Sequence, residues 1–249
     1  MRRVILGCLC LLALPLGALI PQNTASANAL AGVTLLSESV ADFQLSPALP
    51  FTGIAVSGHL PFSAAEASTF SLSAAHKLKF LVLNAGATHS GDADYSAQDF
   101  RLGLGFNLGE LSAGYSQHLL LESAPTGTHQ SWGGDAALAY RGHSYGYEAR
   151  LLRIGREDTE LHLSVSTTIV SGIQAASSYI YTPAGPDGYR FATSIEVTEN
   201  LLLQSSWQNS PNRFGAGLRF KLQGWDLMYA VRTHPDLRLS HSLDLGYSW

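Results

Sequence analysis

Phe214-Gly215-Ala216-Gly217-Leu218-Arg219-Phe220-Lys221-Leu222 carries an apolar side chain at every second position, with glycine or a cation in between. Successive side chains of a strand point to opposite sides, so a period of two over such a run describes a strand with one apolar and one polar face. The same alternation recurs upstream. Leu102, Leu104, Phe106 and Leu108 alternate with Arg101, Gly103, Gly105 and Asn107, and Leu161, Leu163 and Val165 with His162, Ser164 and Ser166. Between Asn28 and Trp249 no unbroken apolar stretch reaches the roughly 18 residues that a spanning helix needs.

Reading strands from alternation and breaks from Gly, Pro, Asn, Asp and Ser predicts strands at 52–61, 67–75, 78–87, 98–108, 111–121, 131–141, 145–154, 159–170, 174–182, 189–198, 201–208, 213–222, 225–232 and 239–249. The breaks are alternately short (76–77, 109–110, 142–144, 171–173, 199–200, 223–224) and long. Tight turns at one end and longer loops at the other belong to an up-and-down antiparallel barrel of the outer membrane. The predicted fold is therefore all-β, a transmembrane barrel of about 14 strands, with 12 as the alternative count. Lipid offers no hydrogen bonds, so a sheet that crosses it has to close on itself. A soluble periplasmic β-sandwich that binds a ligand is the competing architecture.

Composition separates the two. Of the 249 residues 46% are hydrophobic and only 14% charged, where a soluble domain carries about 25% charged residues. Arg2 and Arg3, the apolar run Val4 to Ile20, and Ala25-Ser26-Ala27 follow the pattern of a secretory signal peptide cleaved after Ala27. Both cysteines, Cys8 and Cys10, fall within that run, which leaves the exported chain without disulfides. Removing 27 residues and their two arginines from 249 leaves 222 residues, with 13 Lys and Arg against 19 Asp and Glu, a net charge of −6. Such a balance offers no basic surface for phosphate backbones and argues against a nucleic-acid partner.

The chain ends Ser240-His241-Ser242-Leu243-Asp244-Leu245-Gly246-Tyr247-Ser248-Trp249. An alternating last strand with a terminal aromatic resembles the signal that presents outer-membrane barrels to the barrel-assembly machinery, with Leu243, Leu245, Tyr247 and Trp249 as the recognised residues. Recognition through the edge of that strand is physically sound. A wider resemblance covers about the last forty residues. Pro211-Asn212-Arg213-Phe214-Gly215-Ala216-Gly217-Leu218-Arg219-Phe220, Leu227-Met228-Tyr229-Ala230, His234-Pro235-Asp236-Leu237 and Ser240-His241-Ser242-Leu243 resemble the closing hairpins of the FadL-like and PorV-like outer-membrane barrels. Leu45-Ser46-Pro47-Ala48 is similar to that family's N-terminal Asn-Pro-Ala segment, with Ser46 in place of Asn, and Gly58-His59-Leu60-Pro61-Phe62 to its Gly-x-x-Pro-Phe stretch.

The resemblance implies a non-enzymatic barrel, lodged in outer-membrane lipid, that passes a small hydrophobic ligand or docks a secreted or envelope protein. The domains expected are a signal peptide (1–27), a periplasmic or lumen-plug segment (28–51), short for a full hatch, and the barrel (52–249).

Chemistry-bearing motifs are sparse. Gly142-His143-Ser144-Tyr145-Gly146 matches the G-x-S-x-G elbow, which makes Ser144 the candidate nucleophile of an alternative esterase- or lipase-like hydrolase, with Asp187 or Asp226 and His234 or His241 to complete a triad. That elbow requires a strand–turn–helix, whereas a glycine-bounded turn between strands needs none. Neighbouring Ser116 and His118, or His162 and Ser164, could serve a barrel enzyme working from an outer face. The nine histidines show no metal-ligand spacing, and neither a metal nor a cofactor is expected. Gly86 to Asp94 alternates oxygen-bearing side chains as a weak calcium loop would, but is read as an ordinary polar loop, as is the charged stretch Arg153 to Glu160. Trp132, Trp207, Trp225, Tyr229, Tyr247 and Trp249 lie at or near strand ends, as interfacial girdles do.

Overall fold

The computed structural model describes residues 24–249 apart from 93, 157 and 184. Most of the expected signal peptide, residues 1–23, lies outside the described residues. The alternating stretch quoted above is one strand of a closed antiparallel barrel of fourteen. In chain order these are β1 (Gly53–Leu60), β2 (Thr69–Leu78), β3 (Leu81–Gly91), β4 (Ser96–Leu108), β5 (Leu111–Ala124), β6 (Gly127–Arg141), β7 (Tyr145–Ile154), β8 (Glu160–Val170), β9 (Ile173–Tyr181), β10 (Gly188–Thr198), β11 (Leu201–Asn209), β12 (Asn212–Leu222), β13 (Trp225–Arg232) and β14 (Ser240–Ser248). Each pairs with its chain neighbours, and β1 pairs with β14 from Gly53↔Ser248 to Leu60↔His241, which closes the sheet.

At one end all connections have two or three residues. The opposite end carries the longer connections, but two of them, 125–126 and 210–211, are as short as those across the barrel. Strict alternation of short and long is therefore corrected. β5 and β6 keep pairing through Glu122↔His129 to Ala124↔Gly127, because polar residues outside the hydrocarbon continue a backbone ladder that the apolar pattern does not mark. The β2–β3 turn also moves, from 76–77 to 79–80, where Lys79 takes the left-handed conformation (φ 57°) that glycine or asparagine usually signals. Gly86 to Gly91 lies in β3, so the proposed oxygen-ligand loop is strand over most of its length.

The two faces invert the arrangement of a soluble protein. Phe70, Leu72, Leu102, Phe106, Leu218 and Leu243 point outward, while Ser71, Ser73, Asp99, Arg101, Arg219 and Asp244 are buried on the inside. This is the division that hydrocarbon imposes on a closed sheet. Trp225 stacks near Tyr247, and Tyr247 near Trp249, at the short-turn end, while Trp207 pairs with Phe191 towards the other.

The lumen is occupied. From residue 24 to 49 every residue is buried except Gly32 and Glu38. The segment opens with α1 (Ala25–Ala29), capped by Thr24, and continues through single 3₁₀ turns at Thr34–Leu36 and Val40–Gln44. Wall positions facing it are small. Leu30, Val33 and Leu36 pack on Ala176 and Ala192, Val40 and Phe43 on Ala55 and Ala75, and Ala48 on Ala137 and Ala139. At points where a plug carbonyl presses directly on the strand backbone, the wall residue is glycine. A Cβ on Gly105 would stand 2.8 Å from the Pro47 carbonyl oxygen, and one on Gly114 would collide with the same group.

The stretches that resemble the two ends of known barrels meet at the seam. Phe62 lies edge-on to His234 with ring centroids 5.0 Å apart, and its N–H donates to Ser240 Oγ at 3.1 Å.

Candidate functional site

A plug inside a closed sheet must satisfy its own backbone from the wall, since unpaired buried polar groups cost several kcal/mol in the absence of water. Arg150 of β7 donates to Leu45 O at 2.8 Å and Gly32 O at 2.9 Å, and Arg101 of β4 donates to Gln44 O. Glu148, fully buried beside Arg150, accepts from Ser46 Oγ at 2.8 Å and from Thr34. The Gln44 side chain bridges Ser73 on β2 and Thr88 on β3. Asp244 of β14 accepts the Ala25 and Ser26 amides at the start of α1, at 2.8 and 3.4 Å. Within the plug, burial pushes the Asp42 carboxyl above the usual carboxylate range, although Ser37 and Thr24 hydroxyls donate to it.

Above this plug, towards the end with the longer connections, lies a cavity of about 300 Å³. Its floor is Ala27, Ala31, Gly32 and Leu45 of the plug. Six guanidinium groups line it, Arg101, Arg150, Arg153, Arg156, Arg190 and Arg232, against three carboxylates, Asp99, Asp135 and Glu160.

The two sides of the cavity differ. On β4 to β8 the charges are paired: Arg101 Nε lies 2.6 Å from Asp99 and its Nη1 3.5 Å from Asp135, and His118 Nε2 is 2.9 Å from Asp135. His162 Nε2 lies 2.9 Å from Glu160, and Arg153 pairs with Glu160 and Asp158. The charged stretch after β7 is thus partly a lumen wall, a correction to its reading as a loop in water. A register shift between Gly134 and Ala136 and the left-handed Arg153 (φ 59°) turn it inward, where the Arg153 N–H donates to Asp135 Oδ1 at 2.8 Å.

On β10 to β13 the pattern is different. Arg190 of β10 pairs in register with Gln208 of β11, and Gln208 with Arg213 of β12, while Arg232 of β13 stands opposite Gly215. Among the described residues neither Arg190, Arg213 nor Arg232 has a carboxylate within 4.0 Å. Arg232 donates instead to the neutral side chains of Gln208 and Asn28.

Solved structures share this architecture. The CymD monoaromatic hydrocarbon channel superposes with a TM-score of 0.66 at 11% identity, covering 91% of this chain and 97% of that one. A deletion mutant of the TodX monoaromatic hydrocarbon channel gives 0.65 at 10% identity, over 91% and 99%. The Pseudomonas putida toluene transporter TodX gives 0.58 at 12%, over 91% and 97%. The chain has their fold. No protein-family model matches the sequence, and no curated protein does.

Residues singled out from sequence are dispersed. Ser144 sits in the connection between β6 and β7, with strand on both sides, so the strand–turn–helix of a nucleophile elbow is absent there. His234 and His241 lie at the far end of the barrel, roughly 30 Å away along strands of this length, and Asp226 is engaged by Arg219, with Nε–Oδ1 2.7 Å. The pairs Ser116 and His118, and His162 and Ser164, face the lumen and not the outer surface. Leu243, Leu245, Tyr247 and Trp249 are exposed outside β14 or just beyond it. Sequence reading missed Arg150, Arg190 and Arg232. The signal was present as cations on the polar parity of strands, but parity does not tell which of them face acids across the lumen.

Proposed function

We propose that the chain is an outer-membrane barrel that passes small molecules through its lumen. The observation that carries this reading is a cavity directly above a plug, inside a sheet whose outer face is mostly apolar. The fold it shares with proteins described as hydrocarbon channels and a toluene transporter supports passage as the class of activity. A hydrophobic cargo is the finer expectation, but the arginine-rich lining speaks for a charged one at this site. Export with cleavage after Ala27, which would remove Thr24 to Ala27 and leave the plug held by residues 28–49, and delivery to the barrel-assembly machinery through Leu243, Leu245, Tyr247 and Trp249, complete the proposal.

Reconstitution tests it: liposomes containing the folded protein should take up small solutes, and vesicles that stay as tight as protein-free controls even when the plug is deleted would exclude passage. One observation favours a second reading. The plug fills the half of the lumen nearest the short turns, which suits a barrel that docks a secreted or envelope protein. Co-purification of such a partner with the intact barrel, lost on deleting the long connections, would favour docking over passage.

A further inference from the structure

We infer that the β10–β13 side of the lumen binds a small oxyanion, a carboxylate or phosphate group, through Arg190 and Arg232 with Arg213 between them. The argument begins with parity. Arg190, Arg213 and Arg232 occupy inward positions of strands whose alternate residues, Tyr189, Phe191 and Phe214, face out. Register then brings them together: Arg190, Gln208 and Arg213 lie side by side on three adjacent strands, and Arg232 stands one pair deeper on the fourth. Arg190 and Arg232 line the cavity and are only half-buried, so their guanidiniums reach its space.

Charge makes this arrangement unusual for the molecule. Elsewhere inside the barrel, arginines are matched: Arg101 by Asp99, Arg150 by Glu148 and Arg219 by Asp226. The expected exported chain is net acidic, yet no described Asp or Glu occupies the inward face of β9 to β13 in the half nearest the longer connections. Like charges held together in a lumen of low dielectric repel, and burial without a counter-charge is costly. Gln208 and Asn28 fix the Arg232 fork without neutralising it. Arg213 keeps a buried Nε without an acceptor among the described residues. The missing half of the site is an anion, and a planar guanidinium fork suits the paired oxygens of carboxylate and phosphate alike. A cavity of about 300 Å³ is at the small end of ligand sites.

Selectivity of transport for such an anion rests on the passage reading above; binding does not. The full-length folded protein in detergent is titrated calorimetrically with inorganic phosphate, benzoate and the neutral benzyl alcohol. Phosphate, benzoate or both should bind, benzyl alcohol should not, and raising the KCl concentration should weaken binding. Phosphate alone would identify a phosphate site and benzoate alone a carboxylate site. Arg190→Gln combined with Arg232→Gln should weaken binding at least tenfold while heat-modifiable migration shows the barrel still folded. Should the double variant not fold, the single variants and the salt titration of the unaltered protein decide. No anion binding by the unaltered protein, or unchanged binding by folded variants, overturns the inference. In planar bilayers under a KCl gradient the reversal potential should show anion preference; cation preference overturns selective passage of the anion, while the binding titration decides the site. Binding without any conductance leaves the oxyanion site standing and removes the passage reading.

Discussion

Glu148 joins wall and plug at a single side chain, meeting Arg150 and Arg141 from the barrel and Ser46 and Thr34 from the lumen segment. Removing one partner from a buried ion pair strands the other, a loss of about 3–5 kcal/mol. Glu148→Ala should lower the temperature at which folded, fast-migrating protein converts to the unfolded form, and should raise conductance by loosening the plug; an unchanged transition temperature would show that Arg150 is neutralised elsewhere. Gly114→Val acts on a neighbouring contact of the plug, because its side chain must occupy the place of the Pro47 carbonyl. Increased protease cleavage between residues 28 and 51 in the folded variant is the expected result. Ser144→Ala, by contrast, should leave any ester turnover as it was, since the residue lies in a turn with its proposed histidines at the far end of the barrel. At this scale the sequence shows that Gly103, Gly105, Gly215 and Gly217 belong to the polar face. It does not show that the Pro47 carbonyl meets Gly105, or the Asn28 carbonyl Gly215, since those contacts join segments more than fifty residues apart.

Single strands were the most legible elements, because the lipid-facing stretch of each is written in alternate apolar residues. β7 and β13 have the predicted limits 145–154 and 225–232. Alternation runs out where water begins, and there the reading fell short, as in the extended β5–β6 ladder. It also could not show the register shift that swings Arg153 into the lumen, because the shift depends on how β6 and β7 pair and not on either alone. β14 raises a separate question. Its outer residues Leu243, Leu245 and Tyr247, with Trp249 following, lie beside β1 and β13 in the closed sheet, so their proposed role in recognition precedes closure. Deleting Trp249 should reduce the fraction of exported protein that reaches the heat-modifiable membrane form several-fold while leaving secretion intact. Normal assembly of the truncated chain would count against the terminal aromatic as part of the signal.

On the scale of the whole molecule, the low proportion of charged residues becomes a matter of placement. The exterior is left to apolar side chains, and many of the charges gather inside, where they hold the plug and surround the cavity. Deleting residues 28–51 should leave a barrel that still resists protease before boiling and conducts several-fold more than the full chain; equal conductance would mean that the plug does not limit passage. The plug's position also bears on how the barrel is made. α1 packs against β12, β13, β14 and β1, and the Val40–Gln44 turn against β14, β1 and β2, so one short segment spans both sides of the β1–β14 seam. A slip of one residue at that seam would point Ser242 and Asp244 at lipid and leave the Asn28 amide without its acceptor Ser242. The segment that obstructs the finished pore would serve, during assembly, as the gauge by which the first strand finds its place against the last.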